Sequence, residues 1–509
     1  MDSASDNEPD YDYISEDSDV QNDADINIPE VNRLWTNVRY VENFEYPHNI
    51  CPFSRHMGPV DPPDIEAHPI EYFKKLSAPE DRKSLIDILV DETNLYAEQF
   101  LTNPSYDPKP NARTHEWYLT DAEEMCAYLG LFLSMGVVKK PSIEAYWQQS
   151  ENSWLFRTPG FSEVMTRDRF QLLSKFLHCN DNMTRVPRGH PGYDPAHQFR
   201  PVLDLVNYTF PKAYDLARDI TVDESMVGFK GRNEIVQYVP AKKSHQWGAK
   251  LFVLAESDTG YNAAIQLYSG SQQDTSRSAH GLGYDVIMQL VEPYLHRYHH
   301  LVCDNYFSSP ALCDALFTSN TYMTGTARVC RKGMPRSLKG LKLPKGEALV
   351  KQSGPIMALC YGDRKTVTFL STLSMPNIVT TENARGVNVE VPRVNLVYNK
   401  KMGGVDLSDK SLELYDTCIR SKKMWKKILI NILLRIMCPS VEDLVDHFLT
   451  NPSRAASLSI LDRGSERERR KVEIKLGRAS PLMQELKRVK SEAKRMNNEG
   501  QPIPSFSPH

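Results

Sequence analysis

Apolar residues recur at three- and four-residue spacing through LIDILVDETNLYAEQFL (85–101), DAEEMCAYLGLFLSMGVV (121–138) and DRFQLLSKFLHCND (168–181), which predicts a helical region over residues 81–215. The texture changes near residue 217. DITVDESMVGF alternates as a strand, and WGAKLFVLAES–DTG–YNAAIQLYSG reads as two strands around a glycine-containing turn. GYDVIMQLVEPYL follows as an amphipathic helix, HHLVCDNYF as a short strand, SSPALCDALFTSN as a helix capped by Ser309 with Pro310 in its first turn, and TYMTGTARV as another strand. Three strands, helix, strand, helix, strand indicates an α/β fold with a mixed sheet. Residues 335–400 are β-rich and interposed, VPRVNLVYNKK reads as strand and loop, and helical pattern returns from residue 408.

Outside these segments the patterning fades. Residues 1–30 hold eleven Asp or Glu and no Lys or Arg, an acidic tail expected to stay disordered. Residues 31–80 are Pro-rich and read as an extended linker, and 451–509 form a charged, weakly organised tail. Setting the acidic tail aside turns the net charge of −4 into 61 basic against 54 acidic residues, a mildly basic body that suits a nucleic-acid partner. No stretch is long and apolar enough for a membrane span, and the acidic N-terminus lacks the pattern of a secretory signal, so an intracellular protein is expected. The nine cysteines are scattered with no CxxC, which argues against a zinc knuckle or a disulfide framework.

Three carboxylates stand out by placement. Asp223 lies on the first strand of the meander, Asp304 ends the strand LVCD, and Asp406 opens a helix after the interposed segment, with Asp409 on the same face. In MGGVDLSDKS (402–411), Asp406 or Ser408 would also serve as an N-cap, and the two glycines read as a turn. Gathered carboxylates repel unless a cation neutralises them, and Mg2+ takes one or two per ion while keeping water and phosphate as its other ligands. Two such ions would serve an in-line phosphoryl displacement. The alternative is that these are structural or solvated aspartates.

TVDESMVGFKGR, YVPAKKSHQWGAK, LVCDNYFSSPAL, TGTARV and MGGVDLSDKS, in this order, resemble the piggyBac family of transposases and the host proteins derived from them. The block YWQQSENSWLFRTPGFSEVMTRDRFQLLSKFLHCNDN resembles the helical region of the same family. The resemblance implies an RNase H-like catalytic domain, split between residues 216–334 and 401–450 by the β-rich insertion and preceded by a helical dimerisation and DNA-binding region. It implies a metal-binding triad of Asp223, Asp304 and Asp406 holding two Mg2+ ions, with Asp409 supporting the site. It also implies a homodimer acting on double-stranded DNA in the nucleus, with insertion at TTAA. Active members usually end in a cysteine-rich zinc module; here the last cysteine is Cys438, so no zinc is expected. That departure keeps a second reading open: a domesticated, non-cutting DNA-binding or chromatin protein, with the acidic tail as a possible partner site.

Basic candidates for DNA contact are Lys230 and Arg232 in GFKGR; Lys242, Lys243 and Lys250 in AKKSHQWGAK; and Arg328 in TGTARV. The stretch RSKKMWKK adds Arg420, Lys422, Lys423, Lys426 and Lys427, with Trp425 as an aromatic anchor. Against this, GFKGR reads equally as a hairpin loop, and RSKKMWKK as a solvated helix whose tryptophan packs inward. His296, His299 and His300 in HRYHH lack companion ligands at zinc spacing and read as surface or strand-edge residues. SERERRK (465–471) reads as a nuclear import signal or a solvated helix.

Overall fold

The computed structural model describes residues 33–38, 48–64, 70–148, 158, 160–239, 246–270, 279–382, 386, 388–415 and 421–436. The acidic tail, the tail beyond residue 450, SERERRK, and the candidates Lys242, Lys243 and Arg420 lie outside these. The described residues of 1–60 and 210–410 form one compact unit, and those of 61–209 and 411–509 a second.

The second unit is helical, as the spacing predicts. Its helices are α1 (Ile70–Ser77), α2 (Leu85–Leu101), α3 (Ala122–Val137), α4 (Phe161–Val164), α5 (Arg167–Phe176) and α6 (Arg200–Ala213), whose residues from Phe210 belong to the first unit. Ser84 caps α2 in a reciprocal capping box with Asp87, Asp121 caps α3 and Thr166 caps α5. Ala97, Leu172 and Phe176 form a buried seam between α2 and α5, to which Tyr96, Phe100 and Trp117 add partly buried rings. Residues 424–436 form a further helix of this unit. The helix α1 sits in a stretch expected to be extended linker.

The first unit carries β1 (Thr36–Val38), β2 (Gly58–Pro59), β3 (Tyr214–Asp215), β4 (Asp219–Gly228), β5 (Val236–Tyr238), β6 (Trp247–Glu256) and β7 (Asn262–Leu267). It continues with α7 (Leu282–Val291), β8 (His300–Cys303), α8 (Pro310–Thr318), β9 (Tyr322–Thr326), β10 (Ala348–Ser353), β11 (Ile356–Gly362), β12 (Thr366–Ser371), β13 (Ile378–Glu382) and β14 (Asn388–Pro392). The helices α9 (Arg393–Lys401) and α10 (Gly404–Tyr415) follow.

Ten strands make one sheet in the order β1-β10-β11-β12-β9-β8-β4-β6-β5, with β7 also on β6. Parallel β4–β8 and β8–β9 pairs sit among antiparallel neighbours, so the sheet is mixed. Strands β10–β12 of the β-rich insertion continue this sheet, because β12 pairs directly with β9, while β13 and β14 form a hairpin of their own. Ser309 caps α8 through its hydroxyl, with Pro310 at the first position, as expected.

Two expectations at MGGVDLSDKS are corrected. VPRVNLVYNKK is not strand and loop: Arg393–Lys401 is helical, entered from Pro392 and anchored by the fully buried Val394. The next helix begins at Gly404, so Asp406 lies inside its first turn and neither Asp406 nor Ser408 is the N-cap. Among the described residues no helix is long and apolar enough to cross a membrane.

Candidate active site

Successive strand residues face opposite sides of a sheet, while residues paired across parallel strands share a side. The register pairs Val222 with Cys303 and Cys303 with Gly325. One step further, at mid-β4, just past β8 and at the end of β9, Asp223, Asp304 and Thr326 form a row. Adjacent strands lie about 4.8 Å apart, so Asp223 and Asp304 are lateral neighbours.

The helices α9 and α10 lie over the face that carries this row. Thr221 Oγ1 donates to Met402 O at 3.2 Å, and four residues along β4 Ser225 Oγ donates to Asp409 Oδ1 at 2.7 Å. Asp223 falls between these two anchors on the same face. Asp406 falls between Met402, the C-cap of α9, and Asp409 on α10, and it is exposed while Asp409 is half-buried. Ser408 turns the other way and accepts from Asn262 Nδ2 at 2.7 Å.

Gly404 makes this contact possible. A Cβ there would lie 2.5 Å from Glu256 O, 2.7 Å from Thr221 Cγ2 and 3.0 Å from Ser257 Cα. The glycine serves close approach to β4 and the end of β6, rather than a turn.

Asp304 carries a raised carboxyl. Burial pushes its carboxyl above the ordinary range and the Glu224 charge adds to that, opposed by the amides of Tyr306 and Phe307 and by Arg328. The Tyr306 amide donates to Asp304 Oδ1 at 2.8 Å. Tyr398, on the unexpected helix α9, receives a 3.4 Å hydrogen bond from Thr326 Oγ1 at the end of the row. Burial pushes its phenol up to about 12; Thr326 opposes that rise and the charges of Asp304 and Asp223 add to it, so the group stays protonated beside the carboxylates.

Among the described residues, no three His, Cys, Asp or Glu side chains are drawn together closely enough to enclose an ion by themselves. The arrangement is a lateral carboxylate pair with two more carboxylates on the covering helix. That donor set fits a hydrated Mg2+ that keeps water and phosphate ligands better than a fully protein-caged ion.

The basic candidates divide. Lys230, Arg232, Arg328 and Lys422 are exposed. Arg328 Nε donates to Asn305 Oδ1 at 3.1 Å, beside Asp304. Lys250 is not available as a surface cation: it is 5% exposed, bonded to Glu224 at 2.7 Å, with the Tyr306 ring centroid 4.7 Å from its ammonium. Trp425 is not an exposed stacking platform either. It is 4% exposed and packs 5.0 Å from the His178 ring. Lys426 turns inward with it, donating to Ser174 O at 2.7 Å, whereas Lys423 and Lys427 are half-buried. The histidines expected at the surface are also corrected: His299 and His300 are buried, because they lead into the central strand β8.

Comparisons with known proteins bear on what this arrangement does. The family model described as transposase IS4 matches residues 68–438. The human piggyBac transposable element-derived protein 3 is 26% identical over 385 residues, 72% of this chain and 61% of that protein. The human piggyBac transposable element-derived protein 2 is 24% identical over 361 residues, 68% of this chain and 56% of that protein. The chain therefore spans little more than half the length of these relatives. A solved piggyBac transposase synaptic complex with hairpin DNA superposes with a TM-score of 0.65 at 22% identity, covering 89% of this chain and 90% of that one.

Proposed function

We propose that this chain, which belongs to the transposase IS4 family in its piggyBac-type form, cleaves and transfers DNA strands at the aspartate row. The observation that carries this reading is the neighbouring pair Asp223–Asp304 beneath a helix presenting Asp406 and Asp409. Asp223, Asp304 and Asp406 would hold Mg2+, which supplies charge neutralisation at the scissile phosphate and activation of the attacking oxygen. The chain's own residues supply placement. The Tyr306 and Phe307 amides fix Asp304, Ser225 fixes Asp409, and Tyr398 keeps a neutral O–H beside the row.

The substrate is double-stranded DNA, attacked by water and then by a 3′-hydroxyl, with insertion at TTAA by a homodimer in the nucleus. The hairpin DNA held in the solved piggyBac complex supports the substrate class. Lys230, Arg232, Arg328 and Lys422 are exposed cations suited to phosphate contact. The acidic tail would serve a chromatin partner.

The test is strand nicking and joining on candidate end DNA with Mg2+, comparing wild type with Asp304→Ala. Loss in the variant is expected, and equal activity in both ends the assignment. The names of the human relatives, proteins derived from an element, favour a second reading as a DNA-binding protein that no longer cuts. DNA binding without nicking by wild type would select it.

A further inference from the structure

Four or five residues before each aspartate, at the amino ends of β4 and β8 and at the last residue of α9, lies a second polar cluster. Asp219 opens β4 and is paired in register with His300, which opens β8. His300 Nδ1 lies 2.9 Å from Asp219 Oδ1, and its Nε2 lies 2.9 Å from Thr324 Oγ1 on β9. Beside a carboxylate, Nδ1 carries the proton and Nε2 accepts from the threonine hydroxyl. Thr324 Oγ1 is in turn 2.8 Å from Ser371 Oγ on β12. The other oxygen of Asp219 lies 3.0 Å from Lys401 Nζ, at the last residue of α9, and Lys401 also reaches Asp258 at 2.5 Å. Only Met402 and Gly403 separate Lys401 from α10.

One carboxylate therefore ties β4, which carries Asp223, to β8, which leads into Asp304, and to the end of α9, which leads into the helix of Asp406. Its side chain is 10% exposed and that of Lys401 15%, so water screens the pair weakly. A strand is stiff over four residues, and the two-residue link from Lys401 to α10 is held on β4 by the Thr221 bond to Met402 O and the close approach of Gly404, so a fixed base fixes the tips.

We infer that Asp219 and Lys401 are positioning residues: the Asp219–Lys401 pair sets the register of α9–α10 on the sheet, and so the placement of Asp406 over Asp223. The inference rests on the aspartate row being a cation site. Residues that orient ligands without touching the ion change metal affinity by about 10- to 100-fold when removed.

The test uses the full chain with Lys401→Met, which leaves Asp219 its His300 and Arg218 partners, with Lys401→Arg as rescue and the exposed Lys400→Met as control. Hydrogen exchange of the α10 amides is measured without metal, and Mn2+ is titrated by calorimetry. Expected are at least tenfold faster α10 exchange and at least tenfold weaker Mn2+ binding in Lys401→Met. Both return in Lys401→Arg, while Lys400→Met matches wild type. Wild-type exchange or wild-type Mn2+ affinity in Lys401→Met overturns the inference. No Mn2+ binding by wild type, or undiminished binding by Asp304→Asn, overturns the cation site itself and the role assigned to Lys401 with it.

Discussion

The parallel pair β4–β8 carries a carboxylate at each end, and the two ends are electrostatic opposites. At the amino end Asp219 faces Arg218, His300 and Lys401, and its pKa is held well below the ordinary range. Burial alone would raise it, and hydrogen bonds from His300 and Arg218, joined by Lys401, overcome that penalty. At the carboxyl end Asp304 meets the same penalty with two backbone amides and Arg328 against it and Glu224 adding to it, and its pKa rises. A buried charge that the chain neutralises serves the fold. One that the chain leaves under-neutralised is where an external cation does the most.

The sharpest way to break this contrast is to remove the charge at the compensated end. Asp219→Asn leaves the Lys401 ammonium only the solvent-exposed Asp258 carboxylate and should cost about 3 kcal/mol of unfolding free energy, read by urea denaturation. The sign with pH follows from the depressed carboxyl. Its contribution is fully present above the unfolded value of about 4 and is lost as pH falls below it. The gap between wild type and Asp219→Asn should therefore close on acidification, and a constant gap would refute the ion-pair account.

Next in size is Gly404→Ala. The new methyl meets Glu256 O and Thr221 Cγ2 inside van der Waals contact, and both belong to strands. Overpacking of this kind costs about 2 kcal/mol. α10 should also lift from β4, visible as loss of protection at its amides.

The uncompensated end should respond with the opposite sign. Asp304→Asn removes a charge that burial and Glu224 disfavour, so at neutral pH the metal-free protein should gain on the order of 1 kcal/mol, the usual release from a destabilised active-site group. A raised carboxyl costs stability once ionised, so the wild type should recover this difference as pH falls through its titration. Added Mg2+ should raise the melting temperature of wild type and leave Asp304→Asn unmoved. Destabilisation by Asp304→Asn would make the two ends alike and dissolve the comparison.

Much of this is legible along the chain, and what is not has a physical reason. The helices α2 and α8 announce themselves through local rules: apolar spacing, a serine cap, proline in the first turn. The positions of Asp223 and Asp304 are legible because an alternating strand pattern places the first on the opening strand and a short apolar run ends at the second. The pairing of Asp219 with His300 is not, since it depends on the register of strands 81 residues apart. Read locally, HRYHH is a polar run. VPRVNLVYNKK hides Tyr398 and Lys401 because proline and valine favour extended backbone, and helix formation there follows from burial of Val394 against the sheet. Lys250 and Trp425 mislead because an amphipathic side chain in a basic stretch fits either surface or interior.

The smallest effect concerns a lysine that, among the described residues, has no carboxylate partner such as those of Lys401. Lys426 donates to the last-turn carbonyls of α5, Ser174 O at 2.7 Å and Lys175 O at 3.3 Å. Burial, reinforced by the Lys423 charge, brings its pKa down to about 7. Lys401, also withdrawn from water, has its pKa raised, because bonds to Asp258 and Asp219 outweigh burial. Between pH 7 and about 10 the unfolded chain binds a proton at Lys426 that the folded chain has released, so stability should rise with pH across that window. Lys426→Met should flatten that rise, a difference on the order of a few degrees in melting temperature. Lys401→Met should leave the rise in place, because a lysine paired with carboxylates holds its proton throughout. An unchanged slope in Lys426→Met would mean that the two lysines are solvated alike, and that missing carboxylates do not distinguish them.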